Sequence, residues 1–411
     1  MTVSTDATTP LVFDPYDYDF HEDPYPLYAR LRDEAPLYYS ERDDFWALSR
    51  HADVFAAFRD DVTFSNRMGV TLDKSAWSPE AHRVMSFLAL DGAAQTRIRK
   101  LVSAAFTPRR VRELEPQVQG LTEHYLDRMF TANAEQGWAD WISELAGRLP
   151  MDVISEMMGV PVADRDEVRR LADLLVHREA GVRDVPPAGM EAAIELFSYY
   201  GDMVKQRRRQ PTDDLTSALV EAELDGDRLT DQEIMAFLTL MVVAGNETTT
   251  KLLGNALFHL SAAREQRSDV LAPGSDLVVP WVEETLRHDN STQMLARYVT
   301  DDVELHGRTM PAGSKLLLLV GAANRDERVF TEPSVYDIHR SKDELSESLS
   351  FGTGRHFCLG ANLARLEARV VLEELVRRVE HFEVLPDRAV RVHSVSVRGF
   401  ASLPVAFEER R

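Results

Sequence analysis

Cys358 is the only cysteine in the 411-residue chain, and it stands in "FGTGRHFCLGANLARLE", residues 351–367. One sulfur forms no internal disulfide, so a reducing, intracellular setting is its default. It lies where an irregular loop passes into a helix. Unpaired amides at a helix start, with the positive end of the macrodipole, lower a thiol's pKa and favour thiolate. Gly352, Gly354 and Gly360 keep side chains away from the sulfur and from a flat ligand beside it. Such a thiolate can attack a substrate, bind a metal, or take an axial position on haem iron. Structural zinc needs four protein ligands, and no Cys/His cluster at ligand spacing accompanies this one. A nucleophile needs a positioned base, and His356 is two residues away in an irregular loop. Haem iron needs one protein donor, because the porphyrin supplies four. A lone cysteine also serves as a small buried hydrophobe, and the residues alone leave these readings open.

Two further stretches carry unusual residue types. "MVVAGNETTTKLLG", residues 241–254, sets Asn246, Glu247 and three threonines in the middle of an apolar helical run. Polar and β-branched residues are poor choices there. A purely structural account has the threonines bonding back one turn and Glu247 facing solvent. "WVEETLRHD" carries Glu284 and Arg287, three apart on one helix face. An exposed pair of that kind contributes only about 0.2–1 kcal/mol.

"FGTGRHFCLG" resembles the cysteine-ligand loop of the cytochrome P-450 family, Phe-x-x-Gly-x-x-x-Cys-x-Gly, at every fixed position. The resemblance makes Cys358 the proximal iron ligand of haem b (iron protoporphyrin IX), with Phe351 packed near the sulfur. It implies that amides beyond the cysteine, Gly360 among them, bond to the sulfur, and that His356 reaches a haem propionate. "AGNETT", residues 244–249, is similar to the family's distal-helix motif. By that resemblance Gly245 lets oxygen approach, Thr248 hydrogen-bonds to bound dioxygen, and Glu247 feeds protons through water. Splitting the O–O bond takes two protons, which a hydroxyl beside a carboxylate relays with little water present. Glu284 and Arg287 match the family's buried structural pair. Val335 stands where a third, basic partner often lies, so His339 or Arg340 is expected to replace it. "ALDGAAQTRIRKLV" resembles the first propionate-binding segment, with Arg99 at its arginine and Gln95 where the family has histidine. Arg297 in "LARYV" matches the second propionate arginine.

Several elements must position these groups. "DPYPLYARLRDEAP" reads as a short helix and "LYYSERDDFWALSR" as a hairpin. Residues 63–90 read as a long loop with broken helix. Leu114, Val118, Leu121, Tyr125 and Met129 follow one helical face. Further helices are expected over 139–158, 163–177 and 188–209, with "GVRDVPPAG" a mobile connection. A long helix runs from about Asp231 to Ser261 and another over 278–288. "RYVTDDVELHGRTMPAGSKLLLLV" turns like a small sheet, and the cysteine loop feeds a strong amphipathic helix. The expected fold class is mainly α with a minor antiparallel β-sheet region. It is one cytochrome P-450-type triangular domain over 1–411, residues 1–12 a loose tail, with haem between the long distal helix and the cysteine-loop helix.

Lys and Arg total 47 against 68 Asp and Glu, a formal charge of −21. That balance argues against nucleic-acid or anionic-membrane binding. No apolar run reaches the roughly 18 residues of a span, and the N-terminus lacks a signal-peptide pattern. The expected location is cytoplasmic, without a membrane anchor, as in soluble bacterial members. The resemblance implies a monooxygenase inserting one atom of O2 into a C–H bond or alkene of a lipophilic molecule. The alternatives are peroxide-driven oxygenation by the same haem and a non-catalytic haem-thiolate sensor. Retention of Glu247 and Thr248 stands against the peroxide route, which needs no proton delivery. Electrons are expected from an acidic ferredoxin or flavodoxin-like donor docking on Arg97, Lys100, Arg109, Arg110, Arg112 and Arg355. The substrate pocket is expected between 63–90, 174–190, Val243 to Thr248, Thr292 to Leu295 and Val395 to Val397.

Overall fold

The computed structural model describes residues 10–103, 106–179 and 181–410, so most of the expected N-terminal tail lies outside the described residues. Its spine is the helix Asp231–Ala262, 32 residues long. The helix starts where Thr230 accepts the Glu233 amide at 3.2 Å while the Glu233 carboxylate accepts the Thr230 amide at 2.8 Å. This reciprocal cap satisfies two amides that the helix leaves unpaired. Beyond it, apolar residues occur on nearly every side, as suits a helix through the middle of a core. Helices Leu149–Met158, Arg165–Val176, Pro187–Arg209, Val278–His288 and Ala361–Arg378 all pack against it. The indole N–H groups of Trp141 and Trp281 donate to its Leu253 and Ala256 carbonyls at 3.1 and 3.0 Å. No helix among the described residues is long and apolar enough to cross a membrane.

The stretch expected as one helix over 139–158 is broken into two. Asp140 accepts the Ile142 and Ser143 amides, and Ile142–Ala146 winds as a π-helix closed by Gly147 N–H donating to the Ile142 carbonyl. Pro150 then sits in the first turn of Leu149–Met158, where its missing N–H costs nothing. The main sheet places the hairpin Leu37–Ser40 and Phe45–Leu48 beside Lys315–Leu319, then Met294–Val299, then Phe64–Ser65. One of its pairings, Leu316–Leu318 with Trp46–Leu48, is parallel rather than antiparallel. The Gly/Pro connection expected to be mobile is fastened instead. Arg183 pairs with Asp14 at 2.8 Å and Asp43 at 2.7 Å, and Asp184 accepts the Ser75 hydroxyl at 2.7 Å.

Glu284 and Arg287 are both fully buried and form a two-pronged pair at 2.6 and 2.7 Å. Arg340 supplies the third member, its Nε 3.2 Å from Glu284, while His339 pairs with Asp269 at the surface. The Arg287 guanidinium donates further to the carbonyls of Asn324, Pro333 and Val335. Asn324 in turn bonds the Ser350 hydroxyl and the Leu349 amide, immediately before the cysteine loop. Burying these charges is tolerable only because every prong is satisfied. Arg287→Met, which strands the Glu284 carboxylate, is expected to cost about 3–5 kcal/mol in denaturant unfolding. Arg340→Met is expected to cost clearly less, because Glu284 keeps its two-pronged partner. Equal losses in the two variants would contradict this hierarchy.

Candidate functional site

In the cysteine loop, Gly352 and Gly354 adopt φ of +64° and +70°, a region that disfavours side chains. A Cβ on Gly354 would also come within 3.1 Å of the Phe58 carbonyl. These two glycines therefore shape the turn and seat it on the helix His51–Arg59, rather than clearing space at the sulfur as the sequence suggests. Gly360 alone fits the latter role, since a Cβ there meets no protein atom within 4 Å. The Cys358 amide donates to the Phe351 carbonyl at 2.9 Å, which closes the loop. The Phe351 ring lies 4.5 Å beneath the Arg365 guanidinium.

The Cys358 sulfur accepts the amides of Gly360 and Ala361, the N-cap and first residue of the helix Ala361–Arg378. Burial pushes the thiol's pKa up; these amides, Arg99 and Arg365 pull against it. Cys358 nevertheless keeps accessible surface.

On the long helix, Ala244 is exposed although it stands mid-helix, and Thr248, one turn on, is half-buried. The Thr248 hydroxyl donates back to the Ala244 carbonyl at 2.8 Å, as the structural account anticipates. The other half of that account fails. Glu247 is 6% exposed, lies 3.2 Å from Lys251, and is within hydrogen-bond reach of Asp173. Gly245 is packed: a Cβ would come within 3.3 Å of Ile154 on the crossing helix Leu149–Met158.

Several basic side chains near the loop have polar atoms without partners. Arg297 is 2% exposed, donates to the Ala296 carbonyl and lies over Phe58, yet no carboxylate among the described residues pairs with it. Burial lowers its pKa to about 10. Arg99 donates to the Phe357 carbonyl at 2.6 Å and leaves its other terminal nitrogen buried without a partner. Both ring nitrogens of His356 lack hydrogen bonds; Asp91 is 3.6 Å away, and burial lowers the imidazole's pKa. Unpaired buried donors are costly. This set asks for a ligand with carboxylates, and the two propionates of a haem fit it. Gln95 is fully buried, but its amide donates to the Arg355 carbonyl at 3.1 Å, so it first holds the cysteine loop. Asp173 escaped sequence reading because it approaches from another element, the helix Arg165–Val176, whereas Arg365 stands seven residues beyond Cys358 on the following helix. Lys251 was legible, as a lysine four residues after Glu247.

A family model described as Cytochrome P450 matches residues 277–406. The chain is 57% identical over 401 residues to "Putative cytochrome P450 123" of Mycobacterium tuberculosis, covering 97% of this chain and 98% of that one. It is 36% identical to the "Methyl-branched lipid omega-hydroxylase" of the same organism, over 92% and 90% of the two chains. The structure of Mycobacterium marinum cytochrome P450 CYP268A2 in complex with pseudoionone superposes with a TM-score of 0.85 at 32% identity, covering 98% and 100%. The chain therefore belongs to the cytochrome P450 family. It is an oxygen-incorporating oxidoreductase whose cofactor is haem b.

Arg297→Met removes a buried charge that has no protein partner. The holoenzyme of this variant is expected to release haem to apomyoglobin at least about tenfold faster, equivalent to about 1.4 kcal/mol of lost holding energy. An unchanged transfer rate would mean that Arg297 does not face the cofactor's carboxylates.

Proposed function

We propose that Cys358 holds the haem iron from the proximal side and that the enzyme hydroxylates a lipophilic, methyl-branched chain with one atom of O2. The observation that carries the reading is the Cys358 sulfur accepting two amides at a helix start, in a molecule that leaves the buried Arg297 without a carboxylate among the described residues and both His356 ring nitrogens without a hydrogen bond. Bound haem b supplies the O2 activation that no side chain performs. Arg297, Arg99 and His356 would take the propionates, with Gln95 lending its second amide hydrogen. Thr248 gives its hydroxyl hydrogen to Ala244 at rest, so its oxygen lone pairs are open to accept a bond. Rotation of that hydroxyl turns it into a donor, and Glu247, the preceding residue, returns the proton.

The substrate class is supported by the names of the two mycobacterial relatives, a methyl-branched lipid hydroxylase and a pseudoionone complex. Val70, Leu72 and Phe87, buried in the 63–90 loop, give it an apolar inner side. A screen of branched and straight fatty acids, terpenoids and steroids for a shift of ferric spin state, followed by product identification under labelled O2, tests it. Branched chains are expected to bind and gain one labelled oxygen; binding confined to steroids would overturn the substrate reading. Thr248→Ala is expected to retain haem and substrate binding while sending most reducing equivalents to peroxide. Full coupling in that variant would remove Thr248 from proton delivery.

The electron donor's docking face is narrower than charge counting suggests. Arg97 grips Asp227 and lies 2.6 Å from Glu233, Arg355 pairs with Asp61 at 2.7 Å, and Arg109 with Glu113 at 3.1 Å. Lys100, Arg110 and Arg112 are exposed and, among the described residues, take part in no ion pair. Arg112 borders a cleft with Val279 and Arg365, which also line the groove holding the exposed Phe357. Arg112→Glu is expected to slow reduction by an acidic ferredoxin about tenfold at low salt and little at high salt. Arg97→Glu is expected to destabilise the fold instead. Indifference of the Arg112 variant to ionic strength would place the donor elsewhere.

A further inference from the structure

Glu247 belongs to a second cluster of titratable groups that the family-level reading leaves unused. A cavity of about 390 Å³ lies between the long helix and the helix Arg165–Val176, lined by Arg148, Arg169, Asp173, His177, Glu247 and Lys251 among others. Its two carboxylates differ in setting. Asp173 is exposed at the cavity, whereas Glu247 is 6% exposed, and the two are within hydrogen-bond reach. Glu247 adjoins Thr248, whose turn carries the exposed Ala244. Exchangeable groups therefore run from solvent through Asp173 to Glu247, the residue that precedes Thr248.

Two carboxylates this close do not both ionise freely, so one proton is shared between them. Protein atoms around Asp173, and then the Glu247 charge, raise its pKa to about 7, against the opposing pull of Lys251 and Arg169. Arg148 and His177 complete the charged lining. Lys251, 3.2 Å from Glu247 and only 5% exposed, holds the inner carboxyl in place beside Asp173.

We propose that Asp173 is a positioning residue for oxygen activation: the outer carboxyl of a proton-sharing pair that recharges Glu247 from the cavity. The step moves a proton only. The Asp173 carboxyl hands its proton to the Glu247 carboxylate, and solvent reprotonates Asp173 through the cavity; no electron is transferred. The proposal rests on the reading of Glu247 as a proton donor to Thr248. Above neutrality the pair has lost its shared proton, so wild-type coupling, measured as product per NADPH, is expected to fall as pH rises from about 6 to about 8.

The test uses the holoenzyme with a surrogate ferredoxin system and any substrate that shifts its spin state. Asp173→Asn is expected to keep the thiolate carbon-monoxide spectrum and to lower coupling about fivefold at pH about 6, with a flat pH profile. Asp173→Glu is expected to restore both level and slope. In the ferric protein, infrared titration is expected to show a protonated-carboxyl band that disappears near neutrality and is missing in Asp173→Asn. A normal pH profile in Asp173→Asn, with Glu247→Gln uncoupled, overturns the role of Asp173 and leaves Glu247 in place. Glu247→Gln as well coupled as wild type overturns the underlying reading and the proposal with it.

Discussion

The environment of the Cys358 sulfur is a balance of opposing effects, and that balance organises much of this molecule. Crowding by protein atoms raises the thiol's pKa, while two backbone amides and the guanidiniums of Arg99 and Arg365 oppose it. The amides are those of the N-cap Gly360 and the first residue of Ala361–Arg378, so the helix start and the sulfur are one device. Its aim depends on the turn before it. Gly352 and Gly354 hold left-handed backbone that few other residues tolerate, and the Cys358 amide is tied to Phe351. The turn is braced from behind by Asn324, which reaches it from the buried Glu284–Arg287–Arg340 network. A structural ion cluster with no contact to the sulfur thus fixes where the sulfur points.

The same logic separates spent charges from available ones. Arg97, Arg109 and Arg355 stand on carboxylates, and Arg287 and Arg340 share Glu284. Arg297 is as deeply buried and has none. A protein does not ordinarily desolvate a guanidinium for no return, so an unmatched one marks the place of an anion that folds in with it. This reading of Arg297 rests on what surrounds it, whereas its sequence neighbourhood, "LARYV", says only that a strand carries an arginine.

Motifs with fixed local spacing were legible in the sequence: the cysteine loop, the Glu284/Arg287 pair and the long helix within about one residue of its ends. Features set by distant partners were not. Whether His339 or Arg340 joined Glu284 depended on the path of residues 331–340, and only the fold chose Arg340. The six-residue basic face lost three members to Asp61, Glu113, Asp227 and Glu233, of which local sequence places only Glu113, four residues after Arg109. Gln95 fell between the two cases: analogy set it at a propionate, while its bond to the Arg355 carbonyl required the folded chain. The break near Gly147 was hidden because a π-turn has no distinct residue pattern.

The polar middle of the long helix shows how a site can be cut into a core element without unravelling it. Thr250 donates to the Ala146 carbonyl, and Ser291 donates to the Thr248 carbonyl at 2.6 Å. Asn255 reaches the Asp289 carbonyl, and Glu247 pairs with Lys251. Each of these groups bonds across to a neighbouring element or along its own helix edge, so the polarity that would weaken an isolated helix becomes glue between helices. Apolar residues at these positions would pack as well, but they would leave the Ala146 and Thr248 carbonyls without these bonds and the turn at Ala244–Thr248 free to shift. The residues that present chemistry to the site are thereby held by others on the same helix that face away from it. The geometry of the proton-carrying side is thus set by tertiary hydrogen bonds more than by helix propensity.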